Sequence, residues 1–235
     1  MKDILLQKGN KYFRITNFVL IRILCGFIFF NICCFIYSQD EEIFSYPISE
    51  QTINDFRLTC ALISQNQYIR GNFNQEKRIT RLNRTVASSG VFVVASDMGM
   101  VWDTLKPFPT TLTLGKDYMI QSRSGGQRIL LSVKGNETFI QMAQVISAVF
   151  TGNANELESN FEIFYRKNQS SWEIGLKPLN KTINSFAQRI IINGDTLIKI
   201  IILIENSGDS IKYDLYNHIV SGALTENEKS YFTLP

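Results

Sequence analysis

Ser171-Trp172-Glu173-Ile174-Gly175-Leu176-Lys177 puts Trp172, Ile174 and Leu176 on one parity and Ser171, Glu173, Gly175 and Lys177 on the other. Side chains of a strand alternate between two faces, so this run reads as a β-strand with one face toward a core. Further along, Thr196 to Glu205 carries Ile198, Ile200, Ile202 and Ile204 on one parity and Leu197, Ile201 and Leu203, with Lys199 and Glu205, on the other. A sheet with one face in water does not carry aliphatic side chains on both. That strand is either buried on both sides or lines a cavity, since ligand sites are concave and mostly apolar.

Outward from these two runs the same texture repeats. Strands are predicted at Tyr68 to Thr80, Gly90 to Ala95, Met100 to Leu105, Thr110 to Leu114, Tyr118 to Ser122, Gln127 to Val133, Phe161 to Lys167, Gln188 to Ile192 and Ile211 to Ile219. Between them stand turn-forming clusters such as Ser88-Ser89-Gly90, Asp97-Met98-Gly99, Asn193-Gly194-Asp195 and Asn206-Ser207-Gly208-Asp209. Asn, Asp and Gly supply the positive-φ positions of tight hairpins, so the last three strands are expected to form a meander. Two segments break the pattern with helical spacing. In Ser49 to Gln67, Ile53, Phe56, Cys60 and Ile63 recur every three or four residues, with Ser49 in position to cap. Glu137 to Phe150 presents Phe139, Met142, Ala143, Ile146, Val149 and Phe150 and closes at Gly152. The class is mainly β (α+β), about eleven strands and two helices, in one domain over residues 39–235.

The 235 residues include 24 Lys and Arg against 21 Asp and Glu, but five of the basic residues and one acid fall in 1–38. The body therefore holds 19 basic and 20 acidic residues, a net charge near −1, and is no general nucleic-acid binder. Within 1–38 a cationic stretch precedes the apolar Ile23 to Tyr37, whose length suits a signal-peptide core and falls short of the ~20 residues of a membrane span. We read an export signal cut near Ser38; an uncleaved anchor is the other reading. Three of the four cysteines lie in this leader, so Cys60 is alone in the body and is expected as a buried thiol.

Reactive chemistry is sparse. His218 is the one histidine, on the polar parity of Lys212, Asp214 and Tyr216, where a surface imidazole is expected. One His and one Cys make no zinc ligand set, and no Gly-x-Ser-x-Gly elbow is present. Glu156 and Glu158 fall in a short polar linker. No catalytic residues, metal or cofactor are expected. The segment 70–84 carries Arg70, Lys77, Arg78, Arg81 and Arg84 against Glu76 alone. It is either a solvated strand edge or a docking surface for an acidic partner.

Particular residues then suggest a family. Gly71-Asn72-Phe73-Asn74-Gln75-Glu76-Lys77-Arg78, Ser88-Ser89-Gly90-Val91-Phe92 and Gly99-Met100-Val101-Trp102-Asp103-Thr104-Leu105-Lys106-Pro107-Phe108, in this order, resemble the opening of the LolA family of periplasmic outer-membrane lipoprotein carriers. Trp172 to Pro178 resembles that family's strand ending in Leu-x-Pro, and Ile204 to Asp209 with Tyr213 to Asn217 its closing hairpin. The likeness spans roughly residues 50–233.

The resemblance implies an incomplete, strongly curved antiparallel β-barrel with helices across its open side, and a cavity between them that receives the acyl chains of a lipoprotein. It implies collection from an inner-membrane lipoprotein-releasing ABC transporter, delivery toward the outer membrane, with or without a separate acceptor there, and a monomeric, non-enzymatic protein in the periplasm. Cavity walls are expected from Phe92, Trp102, Leu112, Leu114, Met119, Ile129, Leu131, Trp172, Ile174, Ile190, Ile192, Ile200 and Ile202, and a lid from Phe139, Met142, Ile146 and Val149. Some members latch the lid with an Arg before a Pro; here that turn reads Ala95-Ser96-Asp97-Met98-Gly99, so the latch is not carried over. A sixteen-carbon chain at ~0.8 kcal/mol per CH₂ exposes on the order of 11 kcal/mol of hydrophobic penalty to water, so an escort with an apolar hollow and no reactive group fits. Two other readings remain: a membrane-tethered lipid or lipoprotein receptor on the same fold, and a secreted structural β-protein.

Overall fold

The computed structural model describes residues 42–116, 118–123, 126–132 and 137–235. The expected leader lies outside them. After a 3-10 turn (Glu42–Ser45) come helix α1 (Ile53–Ser64) and strands β1 (Tyr68–Ile79), β2 (Arg84–Ala95), β3 (Gly99–Lys106), β4 (Thr110–Leu114), β5 (Tyr118–Arg123) and β6 (Ile129–Ser132). Helices α2 (Glu137–Thr151) and α3 (Ala154–Asn160) follow, then β7 (Phe161–Lys167), β8 (Trp172–Pro178), α4 (Lys181–Asn184), β9 (Arg189–Gly194), β10 (Ile198–Ile204), β11 (Ser210–Ser221) and α5 (Glu226–Phe232).

All eleven strands join one sheet in the order β6-β5-β4-β3-β2-β1-β11-β10-β9-β8-β7. Every neighbouring pair is antiparallel. Tight turns fix this order almost by themselves; the one non-local join is β1 with β11, which zips the two runs of strands together. The ends, β6 and β7, do not pair with each other, so the barrel stays open.

One face of the sheet, here the inner face, packs against helices α1 to α4. Phe73, Phe92, Ile174, Leu176, Ile190 and Leu215 meet Phe56, Cys60 and Ile63 of α1, Val145, Ala148 and Val149 of α2, and Leu157 of α3 in a single buried cluster. The outer face carries two smaller clusters. Val93, Ala95 and Val101 bury Leu224 and Phe232 beside α5, whereas Ile191 and Ile202 bury Ile43 with Phe164. Thus β10 is covered on both sides: Ile201 and Leu203 face inward, and Ile200, Ile202 and Ile204 face outward.

Several local expectations need correction. Ser49 heads a turn, its carbonyl accepting from Thr52 and Ile53, and the helix proper begins at Ile53. Ser88 to Gly90 is no turn but part of β2, where the register with β3 shifts; a Cβ on Gly90 would lie 2.0 Å from the Asp103 carbonyl oxygen. The stretch with Glu156 and Glu158 is helix α3, capped by Asn153, and α5 opens with a reciprocal cap between Thr225 and Glu228. Strand β1 is central, not an edge.

Candidate functional site

The two helices on the inner face are held differently. On α1, Arg57 donates to both Glu158 oxygens at 2.8 and 2.7 Å, and buried Thr59 bonds the Tyr165 hydroxyl of β7 at 2.8 Å. The Arg57 guanidinium holds the Glu158 carboxyl below its ordinary range. Cys60 is buried between these contacts, and loss of hydration pushes its thiol up to about 12, so it is an inert packing group. On α2 the side-chain hydrogen bonds of Gln141 and Thr151 stay within the helix, to Gln144 and Ser147. Its C-terminal end rests on α1: Gly152 has φ +62°, and a Cβ there would lie 2.2 Å from the Cys60 carbonyl oxygen. Among the described residues, α2 meets the rest of the fold through apolar contacts and this close approach.

Between α2 and the ends of β2, β3 and β4 lies a cavity of about 390 Å³. That volume falls within the roughly 300–1,000 Å³ of small-ligand pockets. Val94, Met100, Leu114, Ile140, Ala143, Ile146 and Phe150 make its apolar wall; Ser96, Lys116, Gln144, Ser147, Asn153 and Glu156 bring polar groups to it. A neighbouring cluster of Leu112, Leu114 and Met119 with Ile140, Ala143 and Ile146 continues the apolar surface along α2.

Set against this cavity, the expected wall residues divide into groups. Leu114 and Ile146 line it, and Leu112 and Met119 pack beside them. Phe92, Trp102, Val149, Trp172, Ile174, Ile190 and Ile192 belong to the packed inner cluster. Trp102 stacks on Phe73 with ring centroids 4.0 Å apart, and the Trp172 indole donates to the Asp195 carbonyl. Met142 is half-buried on α2, and Phe139 is exposed near that helix's start. Ile129 of β6 is 54% exposed, and Leu131 stands opposite Met119 in the β5–β6 ladder. Ile200 and Ile202 are corrections: the register of β10 shifts between Ile198 and Ile200, which turns Ile198 inward and leaves the other two on the outer face. Sequence reasoning missed Val94, Met100, Ile140 and Phe150. Phe150, Ala143 and the 3.6-residue period of α2 were the signal for the helical side.

A family model, that of the outer membrane lipoprotein carrier protein LolA, matches residues 64–228. The chain belongs to the LolA family. Among solved structures, it is similar to a LolA superfamily protein from Nitrosomonas europaea, at 9% identity over 77% of this chain and 97% of that chain, with a TM-score of 0.44. It is also similar to a DUF1329 family protein from Desulfovibrio piger, at 8% identity over 76% of this chain and 95% of that one, TM-score 0.44. The MucA/MucB complex of Pseudomonas aeruginosa matches at 12% identity over 77% of this chain and 60% of that one, TM-score 0.44. A search of curated proteins finds no match. The open eleven-stranded sheet with helices α1 to α4 across one face is the architecture that the LolA resemblance implied.

The cationic segment of this LolA-family chain is largely committed to its own fold. Arg70 pairs with Glu228 of α5 at 2.9 Å and donates to Ser221 and the Ala223 carbonyl. Lys77 pairs with Glu205 at 2.7 Å. Arg81 and Arg84 are exposed at the β1–β2 tip, where Asn83 takes φ 46°. The turn from Ala95 to Gly99 closes through Met98 N–H to the Ala95 carbonyl, and Ala95, Ser96 and Gly99 border the cavity.

Proposed function

We propose that this chain is a periplasmic carrier that takes the acyl chains of lipoproteins into the cavity beneath α2 and moves them from the inner to the outer membrane. The observation that carries this reading is the apolar hollow of about 390 Å³, walled on one side by a helix whose side-chain hydrogen bonds, among the described residues, stay within itself. Leu114 and Ile146 would touch the hydrocarbon first, with Leu112, Met119 and Met142 repacking as α2 lifts. Burial of each methylene supplies about 0.8 kcal/mol, and a helix held by apolar contact exchanges those contacts for the ligand's. In this reading the leader 1–38 directs export, an inner-membrane lipoprotein-releasing ABC transporter loads the cavity, and the exposed Arg81 and Arg84 meet an acidic surface on a partner. The chain acts as a monomer without cofactor or metal.

Native mass spectrometry of the protein produced with its own leader tests the proposal. A carrier is expected to retain lipoprotein or lipid in part of the population, and N-terminal sequencing then reads whether it travels free of its leader. A homogeneous, lipid-free protein that also fails to bind an acyl probe would contradict the reading.

A further inference from the structure

His218 is half-buried and turned to the inner face, not the freely exposed imidazole expected from strand parity. Between Arg70 and Asn72, β1 places one residue, Gly71, opposite two residues of β11, Asn217 and His218. This is a β-bulge, and Asn217 takes φ 53° to make it. The extra residue reverses the parity of β11, so His218 turns to the inner face as Leu215 does. Gly71 leaves the room: a Cβ there would lie 2.8 Å from the Phe92 ring and 2.9 Å from the Tyr216 carbonyl oxygen. The imidazole meets the Phe92 ring edge-on with centroids 5.7 Å apart, and Phe92 lies 6.5 Å from Phe150. His218 shares a small apolar space with Ile63 of α1 and Phe150 of α2. Phe150 borders both this space and the large cavity. One side chain therefore separates the imidazole from the acyl site.

The charged groups acting on His218 come from the β9–β10 turn and the start of β10. They are Lys199, which opposes a second positive charge, and Asp195, which favours one. Asp195 is already engaged, accepting from the backbone of Thr196 and Leu197 and pairing with Lys199. From α1, α2 and β2 the imidazole meets Ile63, Phe150 and Phe92. On β1, Arg70 is bonded to Glu228 of α5 on the outer face. Burial, the largest influence, holds the imidazole below its ordinary pKa, with a backbone contact to Ile198 acting the other way. A neutral ring suits the space; an imidazolium needs water there.

We propose that His218 is a proton-operated seat for α2: neutral, it packs behind Phe150 and keeps the helix over the cavity; protonated, it draws water into that junction and releases the helix. The proposal rests on the acyl-cavity reading and adds regulation to it. The sign follows from linkage. A histidine depressed in the folded state takes up its proton more readily when the junction opens, so the closed state is fully supported above the ordinary value near 6.5 and loses support as pH falls below it.

The test combines two readouts on the full chain. Because the sequence holds one histidine, its ring signals in NMR report His218 alone. The ring is expected to titrate with a midpoint below about 6.5. Affinity for a fluorescent acyl-ester probe, which carries no titrating carboxyl, is expected to fall at least about threefold from pH 7.5 to pH 5.0 in the wild type because the released helix no longer covers the bound chain, and to stay flat in His218→Gln, which keeps polarity without the charge. A pH-independent wild type, or an unchanged slope in His218→Gln, would overturn the seat. Hydrogen exchange of the α2 amides, compared between the two proteins at the same acidic pH, keeps this separate from the carrier reading. Faster exchange in the wild type upholds the seat even if no probe binds, and equal exchange rejects it.

Discussion

The two halves of the sheet are covered in opposite ways. Under α1, α3 and α4, strands β7 to β9 bring Ile163, Tyr165, Trp172, Ile174, Leu176, Ile190 and Ile192 into a filled interior, closed further by Leu157 and Ile183. Under α2, strands β2 to β4 leave a hollow of about 390 Å³. Both halves are rich in aliphatic side chains, so apolar content alone does not distinguish a filled interior from a hollow one. What distinguishes them is how the covering helix is fixed. A buried hydrogen bond between Thr59 and Tyr165 seats α1, with the exposed Arg57–Glu158 pair orienting it more than stabilising it. Among the described residues, the side-chain hydrogen bonds of α2 stay within that helix, and its end meets α1 at Gly152 against the Cys60 carbonyl.

This difference can be broken on either side. The largest stability effect is expected in the filled half: Leu176→Ala, at a fully buried position, should cost about 2–5 kcal/mol in denaturant unfolding. Acyl-probe affinity of its folded fraction should change little. In the hollow half, Ile146→Asp puts a carboxylate into the cavity wall from a half-buried position. It should reduce probe affinity at least about tenfold, equivalent to about 1.4 kcal/mol, with a small stability cost. Unchanged probe binding by that folded variant would remove α2 from the site. Gly152→Ala bears on the contact between the halves. A non-glycine residue at φ +62° costs about 1–2 kcal/mol, and the new Cβ would push the end of α2 off α1, lowering both melting temperature and affinity. The smallest effect belongs to Arg57→Ala. Its guanidinium is solvent-exposed, so thermal unfolding should shift by little more than experimental scatter, since exposed ion pairs contribute little.

Much of the framework was legible because its signals are local. Alternation marked Trp172 to Leu176, and Asn-Gly and Gly-Asp pairs marked the hairpins, so most strands and the closing meander could be read directly, though not the first half of β2. Parity was legible only where no bulge intervened. In β10, the shift between Ile198 and Ile200 moves one isoleucine inward and sends the next two out, and no feature of six near-identical aliphatics reveals it. In β11, Asn217 adopts positive φ inside an otherwise regular strand, which reverses the side on which His218 lies. Two of the ties that work across distance, the Arg57–Glu158 pair and the Arg70–Glu228 pair, join residues that sequence reading treated as a linker and a docking patch. Long-range pairing cannot be read from either partner alone. The helix period of α2 was clear, yet which strands it would cover depended on packing of the whole inner face, and so the cavity was expected along eight strands instead of at three.

A photoreactive fatty acid, crosslinked to the exported protein and mapped by peptide mass spectrometry, tests the central assignment most directly. Labels on Met100, Leu114, Ile140, Ala143 and Ile146 are predicted, because these side chains surround the hollow. Labels concentrated on Trp172, Ile174 and Ile190, or no saturable labelling at all, would contradict an acyl site beneath α2.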